Sequence, residues 1–182
     1  YAFAKLKFPG RDKIFLCYLS TMMIPWYVIL IPQFFIMQKL HLYDTHWSLI
    51  LTGAFNVFSV FLLRQNMLSI PDSLAEAAKI DGCGPWGIYV KIILPLCKTS
   101  LATLVVLTFN SVWNDYMGPM IYLDTDSKKT IQLGLATFRR QFDTDYGAIM
   151  AGTTLSLIPV VILYAVAQKY IVEGIAYAGV KG

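Results

Sequence analysis

The polar side chains that could do chemistry are few, and one group of them lies inside an apolar segment. Asn110 and Asn114 are one helical turn apart, with Trp113 and Asp115 beside them. Amides hydrogen-bond hydroxyl groups, and an indole face can stack on the apolar face of a sugar ring. Polar groups inside a bilayer face a bundle interior or a water-filled cavity. These residues are therefore either contacts to a polyhydroxylated solute or interhelical hydrogen bonds that hold a bundle together.

Catalytic and metal-binding patterns are weak elsewhere in the sequence. His41 and His46 flank a short connection, and no set of carboxylates and histidines converges with them, so we expect interface histidines and no metal site. Asp143 and Asp145 resemble paired acids only in their spacing and have no general-base partner, so we expect solvated loop carboxylates. No GxxxxGK[ST] loop is present. We predict that the chain has no catalytic residue and binds no cofactor, ATP included.

Composition indicates a membrane protein. Hydrophobic residues make up 57% of the chain and charged residues only 14%, with a mean hydropathy of +0.57. The net charge of +4 is not gathered into a run, so a nucleic-acid partner is not expected. Cys17, Cys83 and Cys97 show no CxxC or CxxH spacing, which favours free thiols over disulfides or a zinc site.

The apolar residues are clustered into runs long enough to cross a bilayer, which takes roughly 20 helical residues. Four segments qualify, at about 14–37, 47–63, 99–123 and 146–167. The predicted fold is an all-α, polytopic membrane helix bundle that forms a single domain over residues 1–182. The chain opens without a methionine on what looks like the end of an apolar helix, so we expect it to be truncated at the N-terminus.

Orientation follows from the lysines and arginines in the connections, since cytoplasmic loops carry the excess. Ten of the fifteen fall on one side, in the first residues, the 64–98 connection and the C-terminal tail. The other side holds Lys39, Lys128, Lys129, Arg139 and Arg140. We therefore place the 64–98 connection in the cytoplasm.

That connection contains a structured pattern at residues 69–96. Ser69 and Pro71 are suited to a helix start, and Ile70, Leu74, Ala77 and Ala78 form an apolar stripe. Gly82 can adopt the positive φ that ends a helix. A second helix should restart near Pro85 and last until Pro95 forces Leu94 out of helical geometry. The segment is either a folded loop or a helix-turn-helix shaped to sit in a groove on another protein.

The sequence AEAAKIDGCGPWGIYVKIILPL, residues 75–96, resembles the EAA loop of binding-protein-dependent ABC importer permeases. WNDYMGPMIYL from Trp113, TIQLGLATF from Thr130 and the ending QKYIVEGIAYAGVKG are similar to the carbohydrate-uptake branch, in particular to the second permease subunit of maltose-type systems. The resemblance covers essentially the whole chain. It implies six spans, of which this sequence would hold the last four.

The resemblance also implies roles and partners. Contact with an ATPase subunit would fall on Glu76, Ala77, Ala78, Asp81, Gly82 and Pro95. The expected partners are a cytoplasmic ATPase dimer carrying ATP and Mg, a second permease subunit, a periplasmic or lipid-anchored sugar-binding protein, and membrane lipid. The expected location is the bacterial inner membrane. An alanine at Gly82 should strain the corner and abolish transport without preventing membrane insertion.

Three alternatives stay open on the sequence. A permease of the same architecture could carry another solute, such as glycerol phosphate, a polyol or a polyamine. An ion-coupled secondary transporter would need charged relay residues in its spans, and only Asp115 approaches that description. A structural membrane anchor would leave the paired cytoplasmic helices unexplained.

Overall fold

A computed structural model describes the backbone of residues 1–138 and 145–179 and the side chains of residues 1–138 and 145–169. All regular secondary structure within these residues is helical, as predicted. In chain order the α-helices are α1 Ala2–Lys5, α2 Arg11–Ser20, α3 Trp26–Lys39, α4 His46–Gly53, α5 Val57–Ser69, α6 Asp72–Ile80, α7 Pro85–Ile88, α8 Leu94–Leu96, α9 Lys98–Trp113, α10 Met117–Tyr122, α11 Ile131–Ala136 and α12 Tyr146–Gly179. Short 3-10 turns cover Thr21–Met23 and Asp126–Lys128, and a π-helical turn covers Tyr89–Ile93.

The chain folds as two compact units, and α9 and α12 contribute to both. The first unit comprises Tyr1–Ile24, Asn56–Val105 and Ala167–Gly182, and the second comprises Pro25–Phe55 and Val106–Val166. That both units belong to one membrane domain stays a prediction.

A buried apolar cluster holds the first unit together. Its members come from α1, α5, α6, α7 and the segment that follows α7: Ala4, Met67, Ile70, Ala78, Ile88, Ile93 and Cys97. Ile88, Ile93 and Cys97 are 1% exposed or less. Burial of such side chains is the main source of stability in a helical assembly of this kind. The cluster therefore fixes the 69–96 connection against α1 and α5.

Few of the described helices have both the length and the apolarity that a membrane span needs. One helix, Tyr146–Lys169, is by itself long and apolar enough to cross a membrane. Three further pairs of helices pass only when each bent pair is counted as one span: Arg11–Met23 with Trp26–Lys39, His46–Gly53 with Val57–Ser69, and Pro85–Leu96 with Lys98–Trp113. The described residues thus contain one candidate span, or up to four.

The breaks have local causes. Pro25 has no amide hydrogen and disfavours helical geometry in the residue before it, and Ile24 is accordingly extended, with φ −82° and ψ 115°. Asn56 is also extended, and its side chain caps α5 by accepting a hydrogen bond from the Ser59 amide at 3.0 Å.

The structure differs from the prediction at the third span, which the sequence analysis extended to residue 123. The helix α9 ends at Trp113, and α10 is a separate short helix. The Asn114 amide nitrogen donates to the Asn110 carbonyl at 2.8 Å, and Asp115 accepts from the Gly118 amide at 3.2 Å. Short polar side chains of this kind compete for backbone groups and end helices.

Much apolar surface remains uncovered. In the most apolar stretch of α12 only 6% of residues are buried, and Met23 and Phe55 are both 83% exposed. A monomeric soluble protein rarely exposes apolar surface on this scale. The surface is suited to contact with lipid tails or with other subunits.

Candidate functional site

The helix α6 begins later than the sequence analysis predicted. Pro71 is its N-cap residue, and Asp72 is its first residue. Ser69, the predicted cap, is instead the last residue of α5, where its hydroxyl donates to the Asn66 carbonyl at 2.8 Å. Because a residue before proline disfavours helical geometry, Ile70 is extended with φ −75° and ψ 128°. The new helix therefore starts only after the proline.

The corner that ends α6 is a Schellman motif, which confirms the predicted left-handed cap. The Gly82 amide donates to the Lys79 carbonyl at 3.0 Å, and the Cys83 amide donates to the Ala78 carbonyl at 2.9 Å. Gly82 has φ +81°, a conformation that L side chains rarely adopt. Cys83 packs against the same apolar cluster as Ala78. The turn is thus fixed by backbone hydrogen bonds on one side and by burial on the other.

The chain restarts as a helix at Pro85, as predicted, but the expected break at Leu94 does not occur. Leu94 has helical angles, φ −61° and ψ −44°. The π-helical turn Tyr89–Ile93 directly precedes Leu94 and Pro95. Its wider hydrogen-bonding pattern accommodates proline, which has no amide hydrogen to donate. The helical path therefore continues to Leu96.

Burial divides the predicted coupling residues into two groups. Glu76, Ala77, Asp81 and Gly82 are exposed, as is Pro95 in the short helix α8. Ala78, in contrast, is 5% exposed and belongs to the buried cluster, so it supports the corner from inside.

The predicted apolar stripe of α6 is likewise divided, with Ile70 and Ala78 buried and Leu74 and Ala77 facing outward. The most exposed apolar side chains of the corner were not among the predicted coupling residues. Ile80 is 88% exposed and Trp86 is 75% exposed, one on either side of the glycine turn. These two residues and Leu74, which is 42% exposed, are named here the apolar tip of the corner (Leu74, Ile80 and Trp86). An exposed tip above a buried base is a geometry suited to insertion into a groove.

The first turn of α6 is held by an ion pair. The Lys5 ammonium lies 2.6 Å from an Asp72 carboxylate oxygen and also donates to the Ile70 carbonyl. Lys5 holds the pKa of Asp72 below its ordinary value, with smaller contributions from Lys7 and Lys79. The carboxylate also lies at the positive end of the α6 dipole, where negative charge is favoured.

The polar residues of the second unit form a small network. Asn114 donates to the Asn110 side-chain oxygen at 3.0 Å and accepts from the Gln132 amide at 3.2 Å. Asn110 and Asn114 are exposed, so their remaining donors and acceptors are accessible. Gln132 was not identified from the sequence, because no local pattern pairs α11 with the end of α9.

Trp113 is engaged in packing. Its indole N–H donates to the Ser156 carbonyl of α12 at 3.0 Å, and its ring stacks on Phe109 with centroids 5.3 Å apart. These contacts match the interhelical interpretation of this residue. Asp115 is exposed, and one of its oxygens is engaged by the Gly118 amide. Asp115 also lines a cavity of about 250 Å³ with Trp26 and Thr130.

A second cluster missed by sequence reasoning is centred on Asp44. Its carboxylate accepts hydrogen bonds from the amides of Asp124 and Thr125, from the Thr125 hydroxyl and from the Lys128 ammonium, at 2.6 to 3.0 Å. Asp44 has φ +56°. Lys128, followed by Thr125, holds the pKa of Asp44 far below its ordinary value. No local sequence signal pairs residue 44 with residues 80 or more positions away.

Other predicted loop residues have simple roles or lie outside the described residues. His46 contacts the Lys128 carbonyl at 3.0 Å through Nε2. Asp145 accepts from the Ala148 amide at 2.8 Å and so caps the first turn of α12. Asp143, Arg139 and Arg140 lie outside the described residues. Cys17, Cys83 and Cys97 are free thiols.

Comparison with known proteins identifies the family. The model for the inner membrane component of binding-protein-dependent transport systems matches residues 2–177. The chain belongs to this family. Its fold is that of an ABC importer permease, because it aligns with a crystal structure of a bacterial ABC transporter that imports the acidic polysaccharide alginate. That alignment has a TM-score of 0.81 and 32% identity and covers 93% of this chain and 65% of that one.

Curated members of this permease family are similar over nearly the whole chain. It is 37% identical to the arabinooligosaccharides transport system permease protein AraQ of Halalkalibacterium halodurans, over 100% of this chain and 65% of AraQ. It is 34% identical to the sn-glycerol-3-phosphate transport system permease protein UgpE of Yersinia pestis, over 96% of this chain and 63% of UgpE. The chain therefore spans less than two thirds of these relatives. As a family member it is an inner-membrane component.

Proposed function

We propose that this chain is the membrane-spanning part of a permease subunit in an ATP-driven importer that moves a sugar across the bacterial inner membrane. The observation that carries the proposal is the helical corner, which presents an exposed apolar tip on a rigid, buried base. Membership of the permease family and similarity to the arabinooligosaccharide permease protein support the solute class.

In this proposal the corner docks in a groove of a separate ATPase subunit, which binds ATP and Mg. Leu74, Ile80 and Trp86 would fill the groove, while Glu76 would pair with a basic group at its edge. The Schellman motif at Gly82 keeps the two helices at a fixed angle, so closure of the ATPase dimer would displace the corner as one body. Ala78 would act from inside, by anchoring α6 to the cluster.

The solute pathway would run past the network of Asn110, Asn114 and Gln132. Their exposed amide groups offer both donors and acceptors, which suits hydroxyl groups of either orientation. Asp115 would add an anionic acceptor. Trp113 would position the network, since its N–H is bonded to α12 and one ring face packs on Phe109.

The remaining partners follow from the same proposal. A second permease subunit would cover part of the apolar surface, and lipid the rest. The 124–144 connection would face the periplasm and meet a soluble or lipid-anchored sugar-binding protein. The Asp44 cluster would hold the described part of that connection in a defined shape.

The second candidate is a permease for glycerol phosphate, and the similarity to UgpE favours it. A phosphate ester carries negative charge and would be repelled by Asp115 if the solute passes that residue. Asp115→Asn should then leave uptake of a neutral sugar within a few-fold of the wild type. The same change should raise uptake of a phosphorylated solute if that is the substrate, so transport of both compounds by the two proteins separates the candidates.

Co-purification tests the docking proposal. The full-length subunit, expressed with the permease and ATPase encoded beside it, should retain the ATPase through detergent extraction. Ile80→Asp should abolish this association, because it places a charge in the apolar tip. Ile131→Asp is the control, since Ile131 is an exposed isoleucine of α11 in the second unit. Retention of the ATPase by Ile80→Asp would contradict the proposal.

A further inference from the structure

Lys5 has an unusual environment for a lysine. Its side chain is only 7% exposed. The ammonium donates to Asp72 at 2.6 Å and to the Ile70 carbonyl, the residues on either side of Pro71. A nearly buried ammonium is stable only when its hydrogen bonds are satisfied. Lys5 therefore fixes the start of α6 relative to α1.

The segment that carries Lys5 also contacts α5, through Arg64. The Arg64 Nε donates to the Phe3 carbonyl at 3.0 Å, and its terminal nitrogen lies 2.8 Å from the Asp12 carboxylate. The guanidinium also lies over the Phe15 ring, 4.2 Å from its centroid. Arg64 is 14% exposed, so this anchor is also largely shielded from water. Residues 3–15 are thus attached to the base of the corner.

Apolar contacts complete this connection. Ala4 lies in the same buried cluster as Ala78 of α6, and the rings of Tyr1 and Tyr89 are 5.0 Å apart. Along the chain, α6 is joined only to α5 on one side and, through the corner, to α9 on the other. The contact at Lys5 bridges 67 positions and gives α6 a third attachment, to the segment that leads into α2.

We propose that Lys5 is a positioning residue that transmits displacement of α6 to the segment of residues 2–20, at the start of the first candidate span. This inference rests on the proposed function, since it assumes that the ATPase moves α6. Without the ammonium, the contacts that remain between α6 and the 2–20 segment are apolar, and because such contacts are not directional, α6 can move while the segment stays behind. ATP hydrolysis then continues, but fewer solute molecules cross for each ATP consumed.

The test uses the complete transporter in proteoliposomes and measures solute molecules imported per ATP hydrolysed. Lys5→Met keeps the length of the side chain and removes its charge and donors. It should lower the ratio by about tenfold, because both hydrogen bonds from the ammonium to the start of α6 are lost. Lys5→Arg retains donors for both acceptors and should preserve the ratio. Lys13→Met, which removes an exposed lysine of the same segment, should behave as the wild type.

A second variant and a second measurement distinguish loss of the transmitted displacement from loss of folding. Asp72→Asn changes the exposed partner, whose side chain is 74% accessible, and should lower the ratio by a smaller factor while leaving the cluster intact. Hydrogen exchange should show that ATP alters protection in both α6 and residues 2–12 of the wild type. In Lys5→Met the change should persist in α6 and vanish in residues 2–12, a result that loss of stability alone would not produce.

The outcomes distinguish failure of the proposed function from failure of the role of Lys5. If the wild-type complex shows no solute-stimulated ATP hydrolysis, the proposed function fails, and this inference with it. If the wild type is stimulated and both Lys5→Met and Asp72→Asn import as many solute molecules per ATP, the proposed function stands and the role of Lys5 is overturned.

Discussion

Gly82 is the residue where backbone conformation and function are most closely linked. Its φ of +81° is required by the Schellman motif, but no heavy atom lies within 4 Å of the position that a Cβ would occupy. A side chain at this position therefore meets open space, and the whole penalty of a substitution is conformational. For an L residue in the left-handed region that penalty is roughly 1–2 kcal/mol.

Gly82→Ala should lower solute uptake strongly while membrane insertion is retained, because the corner loses its preferred angle without any clash. Gly82→Asn should have a smaller effect, since asparagine tolerates the left-handed region better. Gly84 provides a matched control: it also has open space around it, but its φ is −70°. Uptake and membrane content of the three variants should be compared. Equal uptake by Gly82→Ala and Gly84→Ala would contradict the role of the corner.

The hydrogen bonds to Asp44 should hold the connection that follows α10 in an ordered conformation. Asp44→Ala removes the acceptor for the Asp124 and Thr125 amides and strains the positive φ. Those amides should exchange hydrogen faster in Asp44→Ala, and less so in Asp44→Asn, which keeps an acceptor and tolerates that φ. Unchanged exchange in Asp44→Ala would show that the cluster does not hold the connection.

The pH dependence of the same cluster has a defined sign. The pKa of Asp44 is lowered in the folded protein, so its contribution to stability is fully present above the unfolded value of about 3.9. It is lost only as the pH falls through the lower, folded value. Exchange of the Asp124 and Thr125 amides, corrected for intrinsic rates, should therefore be the same at pH 6 and pH 8. A loss of protection across that interval would contradict this assignment.

At the scale of the elements, the corner consists of an inward face and an outward face that the sequence does not distinguish fully. The isoleucines Ile88 and Ile80 are chemically identical but are 1% and 88% exposed. Ile88→Ala should destabilise the protein by about 2–5 kcal/mol, whereas Ile80→Ala should change stability by less than about 0.5 kcal/mol. Thermal unfolding of the full-length subunit in detergent measures both. Equal shifts would mean that the two faces are wrongly assigned.

Trp113 tests whether the end of α9 serves packing or solute contact. Trp113→Phe keeps a ring against Phe109 and removes the donor to the Ser156 carbonyl. We expect a loss of about 1 kcal/mol in stability, with uptake at saturating solute little changed. A large rise in the solute concentration needed for half-maximal uptake, with stability unchanged, would instead indicate direct contact with the sugar.

The sequence predicts those features of the corner that depend on neighbouring residues. Gly82 as the left-handed cap and Pro85 as the restart both follow from local backbone chemistry and are confirmed. The predictions for the start of α6 and for Leu94 were wrong. Pro71, and not Ser69, is the N-cap residue of α6, and the π-helical turn before Pro95 lets Leu94 keep helical angles. Asp44 and Lys5 could not be predicted, since their partners are distant in sequence and only the fold brings them together.

At the scale of the whole molecule, the exposed apolar surface and the exposed tip are suited to contact with lipid tails or with other proteins. The all-α fold and the membrane location followed from composition and clustering, and the family match confirms them. The bends in the first two predicted spans did not follow, because each is a pair of shorter helices whose break lies at a single residue, Pro25 or Asn56.

The measurement that tests the proposal most directly is ATP hydrolysis by the full-length subunit reconstituted with the second permease and the ATPase encoded beside it. Hydrolysis should be measured with the soluble binding protein and a panel of sugars, each alone and together. We expect one sugar, delivered by the binding protein, to stimulate hydrolysis, and Gly82→Ala to remove that stimulation. A complex that binds no ATPase, and whose uptake follows a proton gradient, would contradict the proposal and favour an ion-coupled transporter.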